Sequence, residues 1–188
     1  MKHDENCEGI AFPLEFFDGR SLTNLVCCLF SRGGQIGKAA GDPDAFRIDA
    51  RLVGELKKSR PGTVPEFLAI AERYGSRALQ GLRVSADRVT LTGIPDLPAF
   101  RALAVKAVDS AIIRHWMKSG PPDCTNERYS FRVWLNSIGL TGPAFREARE
   151  RLLSGFEGDS AYRTREQREA SLRRRAMRRS AKQTFVLL

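Results

Sequence analysis

Arginine dominates the residues of this chain that are able to do chemistry. Residues 161–188 hold eight Arg and one Lys: Arg163, Arg165, Arg168, Arg173, Arg174, Arg175, Arg178, Arg179 and Lys182. Only Glu166 and Glu169 oppose them, so the segment is net +7 in a chain of net +9, and residues 1–160 share the remaining +2. The densest run is LRRRAMRRSAK at 172–182. Guanidinium groups present a planar fork of donors that matches phosphate oxygens. Charge segregated in this way attracts polyanions, of which nucleic acid is the commonest in a cell. The expectation is sequence-independent contact between these nine residues and phosphates. The competing readings of the same segment are a solvated chain end, or contact with an acidic protein or a membrane surface.

Other chemistry is not indicated. The sequence has no HExxH, GxSxG or GxGxxG. Gly33-Gly34-Gln35-Ile36-Gly37-Lys38-Ala39 looks loop-like but fails as a phosphate loop, because Ala39 stands where a magnesium-binding Ser or Thr is needed. His115 beside Trp116 has no nucleophile or orienting group at a useful spacing. Asp42-Pro43-Asp44 reads as a turn rather than a cation site. The four cysteines, Cys7, Cys27, Cys28 and Cys124, form no CxxC pair, so neither a zinc site nor a disulfide framework is expected. Cys27 and Cys28 lie in an apolar run and read as buried thiols. The expectation is a protein that is not an enzyme, with no cofactor and no metal.

The elements that must carry the arginines follow from composition and pattern. The chain has 188 residues, 42% of them hydrophobic. That fits a single domain over 1–160 and an Arg-rich tail over 161–188. No run of 18 apolar residues is present, so no membrane span is expected. The start, MKHDENCEG, lacks a basic-then-apolar leader, and a reducing cytoplasm is the expected compartment.

Residues 9–17 predict a short strand, with Pro13 at an edge or bulge. A helix follows to about residue 31, capped by Ser21 or Thr23 and stopped by Gly33-Gly34, with a further turn over 35–40. Asp49 caps a helix to residue 58, and Thr63 caps another with Pro65 in its first turn. Alternation at Leu82 and Val84, then Val89 and Leu91, predicts a hairpin. A long central helix over 98–119, with Asp96 as a cap, carries Phe100, Leu103, Ala104, Ala107, Ala111, Ile112 and Trp116 as its apolar stripe. Thr125 caps a helix over 126–138, which Gly139 ends, and the last body helix spans 144–156. The two read as a plain hairpin more readily than as a helix-turn-helix. The fold class is therefore α+β: about three mostly antiparallel strands packed with five or six helices. The tail, free of Pro and Gly from 163 to 182, is helical or disordered.

Residues 126–163 resemble a family of small proteins from phages and integrative elements of gut Firmicutes, labelled virulence-related, with no assigned activity. The shared features are Tyr129, Phe131, Arg132, Trp134 and Leu135, the Gly139-Leu140 break, Ala148-Arg149, Leu153, and the close formed by Gly158, Ser160, Ala161, Tyr162 and Arg163. Weaker similarity extends to residues 22–26 and 89–93. The resemblance implies a mobile-element origin. Within this region Arg132, Arg149 and Arg163 either brace the helix pair against Glu127, Glu147 or Glu150, or meet phosphate. The functional expectation is an accessory protein binding nucleic acid through its tail. The alternative is a protein-interaction module using an apolar patch at Phe131 and Trp134.

Overall fold

The computed structural model describes residues 9–122 and 125–186, with side chains through Met177. The fold is α+β. Among the described residues there are five short strands: β1 (Ile10–Pro13), β2 (Arg47–Ile48), β3 (Leu79–Gln80), β4 (Leu82–Val84) and β5 (Arg88–Leu91). The helices are α1 (Gly19–Ala40), α2 (Ala50–Ser59), α3 (Val64–Glu72), α4 (Pro98–Ile113), α5 (Glu127–Ser137), α6 (Arg146–Leu153) and α7 (Arg165–Val186). One antiparallel sheet has the order β1-β5-β4, and β2 pairs with β3 in a second. The hairpin expected from the alternation is β4–β5, pairing Leu82 with Leu91 and Val84 with Val89. β1 adds on the other side, with Ile10 opposite Leu91 and Phe12 opposite Val89. The strand expected over 9–17 is shorter, because Pro13 ends the ladder and Leu14–Phe16 turn as a 3-10 helix.

The centre of the body is α1, not α4. α1 packs against α2, α3, α4 and α6. Leu22, Leu25 and Val26 are fully buried, and each contributes on the order of 1.5–3 kcal/mol of burial free energy. α4 offers it Ala104, Ala107 and Ala111, a buried strip of small side chains at i, i+3 and i+7. The cap of α1 is Asp18, one turn earlier than Ser21 or Thr23. Its Oδ1 accepts the Ser21 N–H at 2.6 Å, and the Ser21 hydroxyl oxygen accepts the Asp18 N–H at 2.8 Å. Burial pushes the Asp18 carboxyl up, but the Ser21 bonds and Arg20 outweigh it and hold the group below its ordinary value. A depressed carboxylate stabilises the fold above its unfolded pKa, and that contribution fades as pH falls through the folded one.

Gly33-Gly34 does not stop α1, which runs on to Ala40 and ends at Gly41 with φ +93°. The glycines serve packing instead. A Cβ on Gly33 would lie 2.6 Å from the Cβ of Phe46, and one on Gly37 would strike the carbonyl oxygen of Asp42. Both let the 42–46 loop fold back onto the helix. Gly34 faces open space. Gly34→Ala is therefore expected to raise stability by about 0.5–1 kcal/mol through helix propensity alone. Gly37→Ala is expected to lower it despite the same propensity gain. Urea unfolding of the two variants reads the opposite signs.

α4 ends at Ile113, six residues short of the expected helix, and Arg114 turns extended. The cause is Asn24 of α1, only 3% exposed. Its Nδ2 donates to the carbonyls of Ala111 (3.0 Å) and Arg114 (2.8 Å), and its Oδ1 accepts the Met117 N–H at 2.9 Å. One buried amide thus satisfies three backbone groups that continuing the helix would otherwise use. Trp116 leaves the apolar stripe as a result and is 67% exposed. Asp96 does not cap α4, whose N-cap position is Leu97; its carboxylate pairs instead with Arg101.

Candidate nucleic-acid interface

The tail is a helix with a local start signal. Thr164 Oγ1 accepts the Gln167 N–H at 3.3 Å, and the Gln167 side chain accepts the Arg163 N–H at 3.2 Å. This is a reciprocal cap written in sequence as Thr-x-x-Gln. The Thr164 hydroxyl also holds the Glu166 carboxyl below its ordinary value. The root of α7 is fastened to the body by Asn126. That side chain caps α5 by accepting the Tyr129 N–H at 3.0 Å, and donates to the carbonyls of Asp159 (2.9 Å) and Tyr162 (2.8 Å). Tyr162 then shares a 2.8 Å hydrogen bond with Ser171, and Arg168 pairs with Asp159 at 3.4 Å.

Beyond that root the described side chains, through Met177, stand in solvent. Leu172 and Met177, its sizeable apolar side chains among the described ones, are both exposed. The described arginines divide by partner. Arg165 and Arg173 pair with Glu169 at 3.0 and 3.9 Å, and Arg168 holds Asp159. The Arg174 Nε donates to the Ala170 carbonyl at 3.4 Å, so its guanidinium meets no carboxylate among the described residues. Arg175 likewise forms no ion pair there, and Arg163 precedes the helix. The side chains of Arg178, Arg179 and Lys182 lie outside the described ones, though their positions fall within α7. At 100° per residue, positions 168, 175, 178, 179 and 182 share one side of the helix.

Of the C-terminal body residues singled out in the sequence, Phe131, Trp134 and Arg149 pack or bond within the body. Phe131 is fully buried and Trp134 is 7% exposed. Their rings stack at 5.6 Å, and Phe156 meets Phe131 at 4.9 Å. The apolar surface patch expected there is therefore absent: helical spacing placed both rings on the face of α5 that packs inward. Arg149 braces the α5–α6 connection, donating to the carbonyls of Leu140 (2.9 Å) and Gly142 (3.0 Å) rather than to an acid. The Arg132 guanidinium lies 5.5 Å from the Tyr129 ring.

A second basic surface was not expected. A groove of about 1470 Å³ runs between α1, the α2–α3 connection, residues 114–122 and the end of α5. Its lining includes Arg20, Arg32, Lys57, Arg60, Arg114 and Lys118, with no Asp or Glu among the described lining residues. No protein-family model, no curated protein and no solved structure matches this chain. The groove must therefore be judged on its own chemistry. Its cations come from four separate stretches of sequence, so no local run of charge announces them. The hint in sequence was Trp116, which the helix expectation placed on the inward stripe.

The groove floor carries no reactive thiol. Cys27 and Cys28 are buried and free. Burial pushes both thiols up, Cys28 to about 12, against smaller opposing effects of Lys57 on Cys27 and of Arg32 and Arg114 on Cys28. A Cys7→Ser, Cys124→Ser chain is thus expected to react with a thiol reagent at pH 8 only after denaturation. Prompt native-state labelling would contradict this burial. Among the described residues, no His/Cys/Asp/Glu cluster is arranged to hold a metal ion, and no helix is long and apolar enough to cross a membrane.

Proposed function

We propose that this protein is a non-enzymatic accessory protein of a phage or other mobile element that binds nucleic acid with little sequence specificity through α7. The observation that carries the reading is a 22-residue helix, exposed along its described length and rich in arginine. Its root is clamped to the body by Asn126, Tyr162 and Arg168. A helix whose sizeable apolar side chains among the described ones, Leu172 and Met177, are both exposed, yet with a built cap and a fixed root, suits an arm that lies along phosphates. The mobile-element setting rests on the resemblance of residues 126–163 and is part of the proposal.

The test is binding of the intact chain to a generic DNA duplex across a salt series, beside a variant with Arg173, Arg174, Arg175, Arg178 and Arg179 changed to Gln. A steep salt slope in the parent that flattens in the variant supports the reading. Equal affinities and slopes overturn it.

A further inference from the structure

We infer that the groove beside α1 is a second, separate site that binds single-stranded nucleic acid, with Trp116 as the platform on which a base stacks. Three observations lead there. The first is charge. Residues 1–160 are close to neutral overall at +2, yet six cations line this one groove with no carboxylate among the described lining residues. Arg20 has an acid nearby, Asp18 at 3.6 Å, and Arg32 is engaged by the Gln35 side-chain oxygen at 2.9 Å and the Ser130 hydroxyl at 3.2 Å, so the available charge is that of the other four. Lys57 and Arg114 bond only neutral oxygens, the Ser119 hydroxyl at 3.1 Å and the Ser137 carbonyl at 2.5 Å. Arg60 and Lys118 are exposed and take part in no ion pair among the described residues. This arrangement leaves positive charge for an anionic ligand to neutralise.

The second observation is size. The groove, at about 1470 Å³, is larger than the roughly 300–1,000 Å³ typical of a small-molecule pocket. Arg20 and Arg32, both in its lining, are twelve residues apart on α1 and so about 18 Å apart along its axis, a span that suits a polyanion better than a single phosphate.

The third is Trp116. The indole is mostly in solvent, yet its backbone is pinned. Asn24 holds Arg114 and Met117 on either side of it, and the Ser31 hydroxyl donates to the Gly120 carbonyl at 2.5 Å. An aromatic ring presented on a fixed backbone, rimmed by backbone-tracking cations, is the construction that stacks unpaired bases. A duplex has its bases already stacked on one another and gains nothing from it. Arg60 adds a supporting detail: it sits at φ +49°, ψ +59°, the left-handed region where Gly or Asn is the easier residue.

The site is distinct from α7, and the experiment separates them. Oligothymidylate and oligouridylate are titrated into the intact chain at low salt. Tryptophan fluorescence reports stacking, and anisotropy of the labelled oligonucleotide reports affinity. Trp134 also borders the groove but is only 7% exposed against 67% for Trp116, so the quench is expected to come chiefly from Trp116. The quench should survive in the five-Gln α7 variant. Trp116→Ala should abolish it and weaken single-strand binding roughly 5- to 150-fold, the range for loss of one stacked base, while Trp116→Phe restores most of the affinity. Arg60→Gly relieves the backbone, so it should keep or raise stability and still weaken the oligonucleotide; a purely structural Arg60 would not give that split. Preference for one oligonucleotide distinguishes DNA from RNA within the same proposal. Absence of a quench in the parent, a quench unchanged by Trp116→Ala, or a quench lost with the α7 arginines would each overturn it. Duplex binding by α7 is read separately through its salt slope, so one reading can fail without the other.

Discussion

Changing Arg173, Arg174, Arg175, Arg178 and Arg179 to Gln is expected to strip the protein of most duplex affinity at low salt. Each lost phosphate contact makes the slope of log affinity against log salt shallower by about 0.9. Five contacts therefore account for about 4.5 of the parent's slope, and a fourfold rise in salt weakens the parent on the order of 500-fold more than the variant. Glutamine is a suitable replacement because it keeps the stem and nearly the same helix propensity. The described members of the set are exposed, so no packing is lost with them. Arg173 gives up only its 3.9 Å pair with Glu169, an exposed contact worth about 1 kcal/mol or less. Arg165 and Arg168 make a useful contrast. Their carboxylate partners are closer, and Arg168 ties the helix root to Asp159. Replacing those two should disturb the mounting of α7 more than the salt slope. If the five-residue variant keeps the parent's slope, the phosphate contacts lie elsewhere.

What could be read from the sequence was whatever depends on neighbours along the chain. The Arg-rich tail is a composition signal, and the β4–β5 hairpin is an alternation signal. The caps at Asp49, Thr63 and Gly139 depend on residues within a turn of each other. The misreadings occur where a distant residue decides. Gly33-Gly34 looks like a helix end until Phe46 is seen to need the space. The stripe ending in Trp116 looks like a continuing helix until Asn24, some ninety residues earlier, takes its carbonyls. The groove shares this origin. Arg20, Lys57, Arg60, Arg114 and Lys118 are each ordinary surface residues in sequence and form a field only once α1, α2 and the 114–122 segment are brought together. Phe131 and Trp134 show the converse. A strong local pattern was visible, but only packing tells whether it faces a partner or the core.

Asn24→Ala is expected to be the most damaging single substitution of a polar side chain in the body. It removes one side chain and orphans the carbonyls of Ala111 and Arg114 together with the Met117 N–H. An unsatisfied buried group costs about 1–3 kcal/mol, so the sum is on the order of 3–5 kcal/mol after partial rehydration. Total stabilities of only about 5–15 kcal/mol make that a large fraction. Urea unfolding should show the midpoint falling at nearly constant slope. Asn24→Asp refines the test. The carboxylate still accepts the Met117 N–H but presents charge to two carbonyls, so folding disfavours its ionised form. A carboxyl whose folded pKa is raised destabilises above that pKa and is relieved as pH falls through it. Protonated, the Asp side chain donates to one of the two carbonyls, so the Asp variant should recover part of its deficit relative to the parent on acidification, whereas the Ala variant should not. The two proposed binding surfaces should also part company. Asn24 pins the backbone on both sides of Trp116, while α7 hangs from Asn126 on another part of the body. Under conditions where Asn24→Ala is still folded, Trp116-dependent quenching by oligothymidylate should fall while the salt-dependent duplex binding of α7 persists. Equal loss of both would mean that Asn24 supports the body as a whole and not the groove in particular.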